Sequence, residues 1–212
     1  MVYNTAILIA FIIASILNII FNYRNNLKGI YVTKPLIMPL LILYYVASAQ
    51  DINFIIIGAL VCGFLGDVFL LDSKNHFTKG LLSFFCGHIL YIVVFYLSFS
   101  IGDVKGFYFV LIVFYLIYAF LLAKRLFSYL GSLKILGTIY MGTIMAMSFI
   151  SLLMMVQTFN IRTILIFLGT IFFIISDSVL AFDTFKEKNA NSGVIIMSTY
   201  IIAQFLIIIG IK

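Results

Sequence analysis

Residues 53–72 read NFIIIGALVCGFLGDVFLLD, an apolar run from Asn53 to Leu71 interrupted by one carboxylate, Asp67, five residues before a second, Asp72. At 1.5 Å per residue such a run covers most of a hydrocarbon slab about 30 Å thick, and it is too long for the strand of a globular core. A charged side chain at the bilayer centre costs about 2.5–3.5 kcal/mol even on the most lenient insertion scale, so Asp67 must face other helices or a wet cavity. The stretch therefore reads as a membrane span with one polar face. Ala59, Gly63 and Gly66 share that face with Asp67 at i, i+4, i+7 and i+8, and such small residues let a neighbouring helix approach closely.

The rest of the chain repeats the pattern. Polar punctuation leaves eight apolar runs, Val2–Phe21, Pro35–Ala49, Asn53–Leu71, Gly80–Ser100, Gly106–Ala123, Ile135–Val156, Thr163–Phe182 and Gly193–Ile211. The second is short, and Lys34 ahead of it can snorkel. The 212 residues are 65% apolar and only 9% charged, against about half and a quarter in a soluble domain. A single water-soluble domain is excluded. The net charge of +6 rests on 13 basic and 7 acidic residues, too few for a nucleic-acid stripe. A transmembrane barrel would show segments of about ten alternating residues instead of continuous runs. The expected fold is all-α and polytopic, one transmembrane domain of eight helices over residues 1–212. Cys62 and Cys86 lie inside apolar runs and read as packing residues.

Direction follows from the basic residues, which gather in short cytoplasmic loops. Odd-numbered connections hold Arg24, Lys28, Lys34, Lys74, Lys79, Lys124, Arg125, Lys134, Lys186 and Lys188, while even-numbered connections and the termini hold Lys105, Arg162 and Lys212. Ten against three predicts both termini outside and points to a multi-pass protein of the cell (inner) membrane. The basic residues Arg24 and Lys28 follow the first run instead of preceding it, so that run is not expected to be a cleaved signal peptide.

A second buried carboxylate, Asp177, lies in the seventh run, six residues before Asp183 and on a face with Gly169, Phe173 and Ser176. Both acid-bearing spans run in the same direction and place their inner aspartate about 7.5–9 Å from the rim aspartate. The spans that follow carry His88 with Tyr91, and Tyr200 with Gln204. A four-plus-four parallel repeat accounts for this correspondence, with Asp67 and Asp177 facing each other across a central polar cavity that Lys34 and Tyr140 also line. Each residue also has a plainer reading. A membrane aspartate serves as a packing partner, His88 as a donor to a backbone carbonyl, any of 13 tyrosines as an anchor, and Lys34 as an orientation signal. His76 is read as a loop residue. With two histidines in the chain, three-nitrogen zinc sites lack donors, and an oxygen-rich set of Asp67, Asp177 and His88 is the remaining metal option.

In order and spacing, Lys34-Pro35-Leu36, Gly66-Asp67 with Leu70, Gly80 through Gly87-His88 and Tyr91, Ser176-Asp177 with Leu180, and Tyr200 with Gln204 resemble the YhhN family of eight-span membrane proteins, which includes lysoplasmalogenases. The resemblance implies hydrolysis of the vinyl-ether bond of a lysoplasmalogen to a fatty aldehyde and a glycerophospho-headgroup, without a cofactor. It implies Asp67, Asp177 and His88 as catalytic residues. It further implies Lys34, Tyr91, Tyr140, Ser176, Tyr200 and Gln204 as contacts to a lysophospholipid arriving from the cytoplasmic leaflet.

Such chemistry asks for an acid and an anion. Protonation of the vinyl ether's β-carbon creates an oxocarbenium ion, water adds, and the hemiacetal collapses to an aldehyde. One of Asp67 and Asp177 is expected to give the proton while the other stays ionised, the division seen in two-carboxylate glycoside hydrolysis. Two other classes share the buried carboxylates: a proton-coupled transporter and a non-catalytic lipid-binding protein.

Overall fold

A computed structural model describes residues 2–100, 102, 104–186, 189 and 191–212 of the chain. Lys188, one of the basic residues in the charge count, lies outside them. The described residues form eight long helices and no strand. They are α1 (Val2–Tyr23), α2 (Leu27–Ser48), α3 (Phe54–Leu71), α4 (Ser73–Leu97), α5 (Ile112–Leu126), α6 (Lys134–Gln157), α7 (Ile161–Phe185) and α8 (Ser192–Ile211). A 3₁₀ stretch, Gly106–Leu111, leads into α5, and a shorter one, Gly131–Leu133, into α6. All eight helical segments are long and apolar enough to cross a membrane, as befits an all-helical integral membrane protein.

Asparagines punctuate the helices. Asn26 accepts the Gly29 amide at the start of α2, Asn53 accepts the Ile55 amide at the start of α3, and Asn160 forms a reciprocal capping box with Thr163 on α7. The turn between α1 and α2 is only Arg24–Asn26, and Asn25 takes the left-handed conformation (φ 52°) that asparagine tolerates.

Two spans begin earlier than their composition suggests. The second was expected to start at Pro35, yet α2 starts at Leu27 and carries Lys28, Thr33 and Lys34 inside it. Each buried polar group there finds a partner. Thr33 donates to the Gly29 carbonyl (2.8 Å) and accepts the Asn18 amide of α1 (2.9 Å), and Lys34 pairs with Asp67. The fourth span was expected at Gly80, yet α4 starts at Ser73 because Asp72 alone makes the turn from α3. Its carbonyl accepts the amides of Asn75 and His76, and its carboxylate accepts the Asn75 side chain (2.9 Å). His76 is therefore a residue of the first turns of α4 and not of a loop.

The chain divides into two compact units, one up to Tyr91 together with Lys212, the other Ile92–Ile211. Within the first unit, α1 packs on α2 through Asn18–Thr33 and through Phe21, whose ring occupies the space a side chain on Gly29 would need. The small-residue face of α3 receives α4. The Phe84 ring sits on Gly66, and a Cβ on Gly87 would lie 3.2 Å from the Ala59 carbonyl oxygen.

In the second unit α7 and α8 meet more tightly. A Cβ on Gly169 would lie 2.8 Å from the Ala203 carbonyl oxygen, and one on Gly210 would lie 2.6 Å from that of Arg162. These neighbours are backbone and cannot swing aside. Gly169→Ala is expected to cost about 1–3 kcal/mol of overpacking. Gly142→Ala, on an exposed position of α6 with nothing within 4 Å, is expected to be neutral or to gain roughly 0.5–1 kcal/mol from helix propensity. Thermal midpoints of the two variants in detergent should move in opposite directions or differ clearly. Equal midpoints would show that the α7–α8 contact is looser than this.

Candidate functional site

Each unit places one of the two inner aspartates among buried polar groups. In the first, Asp67 ends the buried stripe of α3, Ile56, Ala59, Leu60, Gly63, Gly66, and is 2% exposed. Lys34 of α2 brings its Nζ to 3.7 Å from Asp67 Oδ1, with its side chain 12% exposed. The long α2 makes this possible, since Lys34 stands about 10 Å inside the helix and not at its mouth. Two opposite charges held this deep are compensated by each other, because each alone would carry a desolvation cost of several kcal/mol.

His88 and Tyr91 lie on one face of α4 and are each 1% exposed. The Gly66–Phe84 and Ala59–Gly87 contacts fix the register of α4 on α3. They place His88 level with Ala59–Gly63, about one and a half turns from Asp67 toward the Phe54 end. Tyr91 stands almost a turn further in the same direction, so both side chains lie deeper along α3 than the ion pair.

In the second unit Tyr140 of α6, buried, donates its phenolic hydrogen to Asp177 Oδ2 of α7. Asp177 itself is half-buried. Ser176, predicted as a substrate contact, donates to the Ile196 carbonyl (3.0 Å), which fastens α8 to α7 beside the aspartate. That bond sets the register of α8. Tyr200 therefore stands one turn from the level of Asp177, edge-on to Phe173 with ring centroids 5.5 Å apart, and Gln204 stands a turn further. Both are buried. Among the described residues no three His, Cys, Asp or Glu side chains gather as a metal-binding group.

Some polar groups escaped the sequence reading. Ser148 and Ser151 of α6 and Thr170 of α7 form a buried hydroxyl cluster with 3.0 Å links to Thr170, and Tyr115 of α5 joins it through Ser148 (3.0 Å). Tyr118 of α5 shares a 2.7 Å hydrogen bond with Ser178, the residue after Asp177. The serine pair at i, i+3 was the available signal, but serine inside a membrane helix is common because its hydroxyl can bond back to the preceding turn.

The arrangement offers two carboxylates in unlike surroundings. Asp67 meets a cation and Asp177 meets a neutral phenol. No curated protein and no solved structure matches the sequence. The model of the YhhN family matches residues 29–211, nearly the whole chain including both aspartates and their partners Lys34 and Tyr140, and the chain belongs to that family.

Proposed function

We propose that this protein hydrolyses the vinyl-ether bond of a lysoplasmalogen, a single-chain glycerophospholipid with an ethanolamine or choline headgroup. The observation that carries the reading is the asymmetry of the two aspartates. Asp67, its charge balanced by Lys34, serves as the standing carboxylate. Asp177, held by the phenol of Tyr140, serves as the proton donor.

In this scheme Asp177 gives a proton to the β-carbon of the vinyl ether, and the double-bond electrons leave a cation shared between the α-carbon and the ether oxygen. Asp67 stabilises that cation and takes a proton from the water that adds to the α-carbon. The hemiacetal then breaks its bond to the glycerol oxygen, which is reprotonated, and fatty aldehyde and glycerophospho-headgroup separate. One water is consumed. The hemiacetal hydroxyl gives up the proton that the glycerol oxygen takes, Asp67 releases its proton to solvent and Asp177 takes one up, so both carboxyls are restored. His88 orients the water, and Tyr91, Tyr200 and Gln204 hold the polar part of the lipid. Ser176 acts by fixing α8, and Lys34 by balancing charge. The substrate enters from the cytoplasmic leaflet.

The test is aldehyde release by the detergent-purified protein from a lysoplasmalogen, beside its saturated alkyl-ether counterpart. Aldehyde from the vinyl ether alone is expected, because only that bond yields an oxocarbenium ion on protonation. No aldehyde from folded protein would overturn the reading, and substrate-dependent flux across sealed vesicles would then favour transport.

A further inference from the structure

α5 is the least embedded helix of the second unit. Its span contributes no buried position along Gly106 to its penultimate turn, and Phe114 is 68% exposed. Between α5 and the α6–α7 pair runs a groove of about 440 Å³, within the range of small-molecule sites. Its walls are apolar, with Phe114 on α5, Leu152 on α6, and Phe167, Ile171 and Ile174 on α7. Two tyrosines of α5 also line it, but Tyr115 is hydrogen-bonded to Ser148 and Tyr118 to Ser178, so neither hydroxyl calls for a polar ligand.

The groove follows one face of α7 from Phe167 to Ile175, about 12 Å, and the next turn of that face begins with Ser178. The residue before it is Asp177. An apolar channel thus ends within a turn of the carboxyl that Tyr140 holds. That polarity gradient is the outline of a single-chain amphiphile, with its labile bond at the carboxyl and its tail in the groove. A membrane-facing wall formed by a thinly packed helix also gives a chain a sideways way in.

We infer that the α5–α6–α7 groove is the binding site for the one hydrocarbon tail of the lipid substrate, and that its filling sets the tail lengths the protein accepts. The ligand's identity rests on the hydrolase reading, whereas the groove can be tested without turnover.

The probe is a lysophospholipid with a saturated alkyl-ether tail and a diazirine at the terminal carbon, which the proposed reaction leaves intact. Photolabelling of the detergent-purified full chain, mapped by peptide mass spectrometry, is expected to be saturable and confined to α5, α6 and α7 peptides lining the groove, and to be displaced by unlabelled lysolipid. Ile171→Trp, which puts an indole across the channel, should reduce that labelling about tenfold, the loss expected when burial of about two methylene groups is removed. Phe114→Ala, at an exposed position where misfolding is not at issue, should move the label along the groove or weaken it. Labelling that is unsaturable, spread over all lipid-facing helices, or unchanged in both variants would overturn the proposal, even where the protein releases aldehyde. Saturable groove labelling by a protein that releases no aldehyde would uphold the tail site and remove the reaction.

Discussion

Asp177→Asn should lower aldehyde release by about 10²–10⁴-fold, the contribution of a positioned general acid, while leaving expression and thermal midpoint near wild type. The amide keeps the shape of the carboxyl and can still accept from Tyr140, but it has no proton to give to carbon. Tyr140→Phe tests the same site from the other side. The phenol contacts the acid and not the reacting carbon, so its loss should appear in kcat at little cost to KM. A fall of about twofold to tenfold is expected, as for removing one hydrogen bond between neutral groups. Wild-type turnover in Asp177→Asn would take that residue out of the mechanism. A Tyr140→Phe effect confined to KM would make the tyrosine a substrate contact instead.

The second large effect concerns stability. Lys34→Met strands the Asp67 carboxylate, and Asp67→Asn strands the lysine, each in a layer only 2–12% exposed. Breaking a buried pair from one side typically costs about 3–5 kcal/mol, whereas replacing both partners with apolar residues of similar size is often neutral. Either single variant should therefore melt far below wild type in detergent. Lys34→Met combined with Asp67→Leu should recover most of that loss and still release no aldehyde. Single variants that melt with wild type would mean that the pair is solvated and holds nothing. A double variant that turns over would remove Asp67 from the reaction.

The eight helices were legible because an unbroken apolar run of this length has few alternatives, and Asp67 and Asp177 stood out because a carboxylate in such a run is costly. Their partners were harder to see. Lys34 lies 33 residues before Asp67 and reads as a rim residue until α2 is known to begin at Leu27. Tyr140 is one of 13 tyrosines, and nothing local marks it as the one that reaches Asp177. The misplaced starts of α2 and α4 share one cause. Polar residues are read as loop when judged singly, but Thr33, Lys34 and Asn75 are satisfied by Asn18, Asp67 and Asp72, and pairwise satisfaction is a property of the fold. The hydroxyl cluster of Ser148, Ser151 and Thr170 was hidden for the same reason.

The Lys34–Asp67 pair also bears on how the chain is made. α2 and α3 are joined by only the short segment between Ser48 and Phe54, so they leave the ribosome in succession and form one helical hairpin. Had the two charges stood on distant helices, each would have entered the lipid alone. Here the lysine is already in place when the aspartate follows, and the hairpin can partition into the bilayer as an electrically neutral unit. The order of residues along the polypeptide thus lowers the barrier to its own insertion, and the Asp67 carboxylate is delivered to the membrane with its counter-ion.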